Sequence, residues 1–413
     1  LHVMAVAVGW WIGYTPQSWY YLAPEDVFKH WPDSLWFWHA APPGLQAFQL
    51  LFEMMKPIPP RYAAAGILGL MHAFSFTTMQ RACKNMGLPY AFLWPLFFWL
   101  LNPAVLFQSS QWSGSTFAMH ALALAAAAHW VWPRHFWTIL WFALGFTAWF
   151  RPLFNPIFLA FGLLPFFPYW WPKRRWYWVF PLLALSFLPI KNGLVFGQWT
   201  ASSWQWRNFA AHIPPGKPEP INFEHRFDSL RFFRESPGLA WEDSLKQRFA
   251  DCSVCFLGGH NDLRFFEINH AYRLALKEQA TWSHSTSTFA YGVATFSSHP
   301  VADNEYQIER LTGPSWLRSY MLLGDLPNLD YAGSAIRLSF MTLVWPLFFF
   351  WALFRWRKMD KGERQLLVLM GFIGLGYAGI DPNEANRMRM ELMGAFWVLA
   401  FCWICGKYQA QKA

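Results

Sequence analysis

Residues 90–107 read YAFLWPLFFWLLNPAVLF, eighteen positions without one charged side chain. A helix needs about 17–25 mostly apolar residues to cross a bilayer, so the reading of this stretch decides the fold. Pro95 and Pro103 do not forbid a span, because neighbouring helices in a bundle satisfy the backbone groups that a proline frees. Comparable runs extend on both sides: Leu1–Tyr14, Tyr62–Gln80, Thr116–Trp132, Phe136–Phe150, Leu153–Trp171, Trp176–Phe196, Gly333–Phe354, Arg364–Ile380 and Met390–Cys405. Together they predict an all-α polytopic membrane protein with about ten transmembrane helices. The opening run is short for a span, so its helix is expected to begin upstream of Leu1. It shows neither the basic start nor the small-residue cleavage site of a secretory signal.

Composition points the same way. Of 413 residues, 55% are hydrophobic, 21% aromatic and 14% charged, with 29 Trp and 42 Phe. A soluble domain carries roughly 25% charge, so lipid is the expected solvent. Tryptophan at this density suits a belt at the headgroup level, where the ring is buried and its N–H stays wet. The mean hydropathy of +0.15 is expected to reflect low-scoring Trp, Tyr and Pro together with one long polar segment.

The positive-inside rule assigns faces to these spans. Arg81 and Lys84, then Arg134, then Lys173, Arg174 and Arg175, then Arg355, Arg357 and Lys358, and finally Lys407 and Lys412 fall on one side. The opposite side collects Thr15–Arg61, Ser109–Ser115, Arg151–Asn155, Gly197–Ala332 and Asp381–Arg389. The expected organisation is a transmembrane bundle over 1–196 that includes the first outside loop, an extracytoplasmic loop domain over 197–332, and C-terminal transmembrane helices over 333–413. The expected location is a bacterial inner membrane or its equivalent, with the active face extracytoplasmic. In the first loop, Leu35–Trp38 and Leu45–Met55 suggest a helix lying along the membrane interface. In the long loop, Asp262–Ser283 reads as a helix, with Phe266, Ile268, Tyr272, Leu274 and Leu276 partly in helical register. No internal repeat is visible, which argues against a transporter built from inverted repeats.

Three constellations on the expected outer face could carry chemistry. Glu25-Asp26 and Asp33 precede His39-Ala40-Ala41-Pro42-Pro43-Gly44. A tuned carboxylate there can act as a general base, although Glu25 and Asp26 after Pro24 equally mark an ordinary helix start. Glu384, Arg387, Arg389 and Glu391 cluster before the last run. Guanidinium groups so spaced suit phosphate oxygens, and equally suit plain interfacial anchoring. Glu391 needs a partner, and Arg387 lies one helical turn away. The third set is Arg151-Pro152 with Lys191-Asn192, where an ammonium inside an apolar run calls for a counter-charge, a wet cavity or a phosphate.

Cysteines occur as Cys83, Cys252-x-x-Cys255 and Cys402-x-x-Cys405. With the two pairs on opposite faces they cannot share a zinc ion. Cys252 and Cys255 could bridge or act in redox chemistry, the plainer reading being thiols without catalytic work. No phosphate-cradling glycine loop, zinc motif, haem site or nucleophile elbow is present. Nucleic acid is not an expected partner, since the inside loops account for the net charge of +9.

His39-Ala-Ala-Pro42-Pro43, Lys191-Asn192 with Phe196-Gly197 and Ser202-Ser203-Trp204, and Glu384-Ala-Asn-Arg387-Met-Arg389-Met-Glu391 resemble motifs of the polytopic GT-C glycosyltransferases. That group includes protein O-mannosyltransferases and lipid A aminoarabinose transferases. The resemblance implies transfer of a sugar from a polyprenyl-phosphate donor to a glycan, lipid or protein acceptor at the outer face of a bilayer. Glu25 or Asp26 would then deprotonate the acceptor, and Arg387, Arg389, Lys191 and Arg151 would hold the leaving phosphate, with His39, Glu384 and Glu391 completing the substrate site. No cofactor is required on this reading, a divalent cation being the one candidate. Members of the group usually place the acid at the end of the first span, where this chain has Tyr14-Thr15-Pro16-Gln17-Ser18. The competing expectation is therefore a non-catalytic structural or assembly subunit of a larger membrane complex that retains the fold.

Overall fold

The computed structural model describes residues 14, 21–39, 41–151, 179–197, 199–202, 205–217, 264–297, 347–380 and 389–412. In chain order its helices are α1 (Pro24–Lys29), α2 (Asp33–Trp36), α3 (Gly44–Met54), α4 (Pro60–Asn85), α5 (Pro103–Ser109), α6 (Gly114–Val131) and α7 (Phe136–Ala148). They continue as α8 (Val179–Phe196), α9 (Arg264–Gln279), α10 (Trp282–Ser297), α11 (Lys361–Ile380) and α12 (Met393–Lys412). Residues 347–355 are also helical. The Leu1–Tyr14 run up to residue 13, the Leu153–Trp171 run, Lys173 to Arg175, most of the long loop with Cys252 and Cys255, and Glu384 and Arg387 lie outside the described residues.

The stretch 90–107 does not form one helix. A turn of α-helix at Leu93–Pro95 passes into a π-helical turn at Leu96–Leu100, and a new helix, α5, starts at Pro103. The break has a local cause. Pro103 supplies no backbone N–H and is preorganised for a first helical turn, while the Asn102 Oδ1 accepts from the Val105 N–H at 3.2 Å, an N-cap. Upstream, Gly87 takes φ 75° and its N–H donates to Lys84 at 3.0 Å, while the Leu88 N–H donates to Cys83 at 3.1 Å. This left-handed glycine closes α4 just before the stretch begins.

Among the described residues no helix is long and apolar enough to cross a membrane. This corrects the expectation of about ten transmembrane helices, and with it that of an integral multi-pass location. Among the described residues, four of these runs fall short for separate reasons. At about 1.5 Å per residue, the 13 residues of α7 are too short. The 26 residues of α4 are long enough, but they carry Arg61, His72, Gln80, Arg81 and Lys84. α11 opens with Lys361, Glu363 and Arg364. α6 owes much of its hydrophobic count to alanine, whose single methyl contributes little apolar area.

The chain divides into two compact units. The first comprises 1–15, 57–185 and 290–413, and the second 16–56 and 186–289. In the first, α6 packs against α4, α7 and α12. Its buried alanines, including Ala123 and Ala125–Ala128, let the neighbours come close. At Gly394 of α12 any Cβ would collide with Ala123, so that position admits glycine alone at this separation. Aromatic rings fill the remaining space: Phe117 stacks on Phe150 at 4.3 Å, and Phe98 meets Trp397 at 4.4 Å.

In the second unit α1 packs against α3. The α3 face formed by Leu45, Gln46, Gln49 and Phe52 is buried, and the Gln46 Oε1 accepts from the Leu22 N–H at 2.8 Å. α9 realises the helix expected within Asp262–Ser283, and it packs on the 3-10 turn Arg207–His212.

Candidate functional site

In the second unit, the end of α8 carries Lys191 and Asn192, both buried, at 2% and 0% exposure. The helix holds them there because its preceding exposed positions, Leu183 and Ile190, face away from the buried Leu188 and Val195. The Lys191 ammonium donates to the Trp38 carbonyl, and its Nζ lies 5.8 Å from the Phe196 ring centroid. Burial pulls Lys191 down to about 7, because an ammonium out of water loses hydration that a single carbonyl and a ring face do not replace. Asn192 donates from Nδ2 to the Thr200 carbonyl at 2.9 Å.

His39 is fully buried beside them, between Phe196 at 5.2 Å and Phe266 at 4.6 Å. Burial, reinforced by the nearby Lys191 charge, holds its imidazole well below the ordinary histidine value. The neutral ring is therefore the form present near pH 7. Phe266, supplied by α9, is one component that the sequence motifs did not include. Glu25 and Asp26 open the first turn of α1 in the same unit, Glu25 exposed and Asp26 half-buried. Negative charge at that end favours the helix itself.

The first unit holds the remaining described members. Glu391, with no exposed surface, lies 2.8 Å from the Arg151 guanidinium and accepts from the Tyr377 hydroxyl. Tertiary structure thus brings Glu391 a partner from 240 positions away in the chain, while Arg387, the partner that sequence spacing suggested, lies outside the described residues. Arg151 also stands 6.0 Å from the Tyr377 ring centroid. Arg389 lies on the 3-10 turn Arg389–Leu392. Deeper in this unit, His120 faces two hydroxyls, Ser75 Oγ at 3.1 Å from Nδ1 and Ser109 Oγ at 3.3 Å from Nε2. With a hydroxyl at each ring nitrogen, the network reads as a satisfied core histidine.

The predicted residues accordingly divide between the units: Glu25, Asp26, His39 and Lys191 in one, Arg151, Arg389 and Glu391 in the other. Among the described residues no group of three or more His, Cys, Asp or Glu side chains is placed to hold a metal ion. Set against known protein families, curated proteins and solved structures, the chain matches none of them.

Proposed function

We propose that the chain transfers a sugar from a polyprenyl-phosphate donor to an acceptor hydroxyl. The observation that carries this reading is Lys191: a buried ammonium whose hydrogen-bond partner among the described residues is a backbone carbonyl. An anionic phosphate supplies the charge such a group lacks, and in a water-poor site that attraction is strong. Neutral His39 adds a hydrogen-bonding ring beside it. In the reaction the acceptor oxygen bonds to the anomeric carbon and the carbon–phosphate oxygen bond breaks. The hydroxyl proton passes to Asp26 or Glu25, and the departing phosphate is held by Lys191. Purified protein should bind undecaprenyl phosphate and turn over undecaprenyl-phosphate mannose when offered a membrane-extract acceptor. Lys191→Met should lower both by tenfold or more, with far-UV circular dichroism unchanged. Binding and turnover within twofold of the parent would refute the assignment.

A second reading, a non-catalytic assembly subunit, is favoured by a different observation. Leu70 and Phe74 lie four residues apart on α4 and are 73% and 53% exposed, and Leu353 and Phe354 are 67% and 74% exposed. Large apolar side chains grouped on a surface suit a protein partner. Glu25→Gln with Asp26→Asn separates the readings, since it should abolish turnover by an enzyme and leave an assembly role untouched.

A further inference from the structure

A cavity of about 350 Å³ lies within the first unit, a size that suits a small ligand. Its walls include Trp130, Trp351, Trp403, Arg355 and Lys358. The sequence places Arg355 and Lys358 among basic side chains on one expected face. Among the described residues neither is paired with a carboxylate. Glu363, the carboxylate in the wall, is already engaged: its Oε2 accepts from the Asp360 N–H at 3.0 Å and its Oε1 from the Cys402 thiol at 2.6 Å. Arg355 is positioned against Trp351, with its guanidinium 5.6 Å from the ring centroid. Trp351 and Trp403 stand 4.9 Å apart, inclined at 47°.

From these features we infer that the cavity binds a phosphorylated sugar. Arg355 and Lys358 take the phosphate, the guanidinium through paired hydrogen bonds. The indoles take the sugar. Two rings inclined at 47° cannot sandwich a flat base, whereas a puckered ring presents C–H groups in more than one direction and meets both walls. The indole N–H groups offer donors to its hydroxyls. The site uses none of the residues assigned to sugar transfer above, so the two assignments stand or fall separately.

Cys402 lines the cavity, half-buried with its thiol on Glu363, and reports on its occupancy. Alkylation of the full chain by N-ethylmaleimide, followed at the Cys402 peptide by mass spectrometry, should slow about tenfold in glucose 1-phosphate at ten times its Kd. Glucose and inorganic phosphate at the same concentration should leave the rate unchanged. Undecaprenyl-phosphate glucose in micelles distinguishes the source: protection by it alone assigns the site to a lipid-linked headgroup, and protection by both to the shared sugar phosphate. Lys358→Gln, at an exposed position, and Arg355→Gln should each weaken protection about tenfold, and Lys191→Met should not alter it. Equal protection by inorganic phosphate, stronger protection by uridine monophosphate, or no protection by either sugar phosphate would overturn the inference.

Discussion

Glu391 is a carboxylate with no exposed surface, met by Arg151 at 2.8 Å and by the Tyr377 hydroxyl. Breaking a buried pair by deleting one partner leaves the other charge poorly solvated, at a cost of about 3–5 kcal/mol. Glu391→Ala is expected to lose that much stability in urea denaturation followed by tryptophan fluorescence. Tyr377→Phe should cost about 1–2 kcal/mol in the parent and less in the Glu391→Ala background, because the hydroxyl then has no carboxylate to serve. Lys191 makes a prediction about pH. Its folded value of about 7 lies below the ordinary ~10.4 of an unfolded chain. Between those values the unfolded state binds the extra proton, so stability should rise with pH from about 7 to about 10. Lys191→Met should flatten that rise. His39, also held below its ordinary value, adds a loss of stability as the pH falls below about 6.5.

At the scale of an element, the start of α11 shows how charge and backbone combine. Asp360 and Glu363 cap each other's N–H groups reciprocally, at 2.9 and 3.0 Å, and Asp360 also meets His129 at 2.9 Å. Burial raises the Asp360 carboxyl, but the His129 hydrogen bond and the N–H groups of Glu363 and Gly362 outweigh it and hold it below the ordinary value. Its contribution is thus present above the unfolded value of ~3.9 and lost as the pH falls through the folded one. Asp360→Ala should cost about 1 kcal/mol as a lost cap, measured by thermal unfolding at pH 7, and the difference should shrink at pH 3. Asn102→Ala should cost a similar amount at α5. Gly394→Leu should be far worse, since its side chain would need the space that Ala123 occupies. These capping residues were visible as types in the sequence. Their effect in dividing 90–107 was not, because periodicity averages over a window whereas Asn102 and Pro103 act at one peptide group.

Across the whole molecule the large apolar side chains serve two ends. Trp38, Trp99 and Phe117 are buried at 1% or less, whereas Leu70, Phe74, Leu353 and Phe354 remain exposed. Exposed apolar groups of that size predict association that grows with protein concentration. Sedimentation velocity should detect it, and Leu70→Lys with Phe74→Lys should reduce it without changing the circular dichroism spectrum. A monomer at every concentration in the parent would count against the assembly reading.

The helical character of the described elements was legible in the sequence, as were a helix within Asp262–Ser283, the isolation of Lys191 among apolar residues and the need of Glu391 for a counter-charge. These follow from local pattern and from the cost of burying charge, which any fold must meet. Tertiary structure alone decided that Arg151 answers Glu391, that Phe266 closes over His39, and that Arg355 and Lys358 line a cavity with three indoles. It also overturned the spans, since hydrophobic composition does not record where a helix breaks. Such pairings join residues remote in the chain, and spacing along a sequence carries no measure of distance across a folded core.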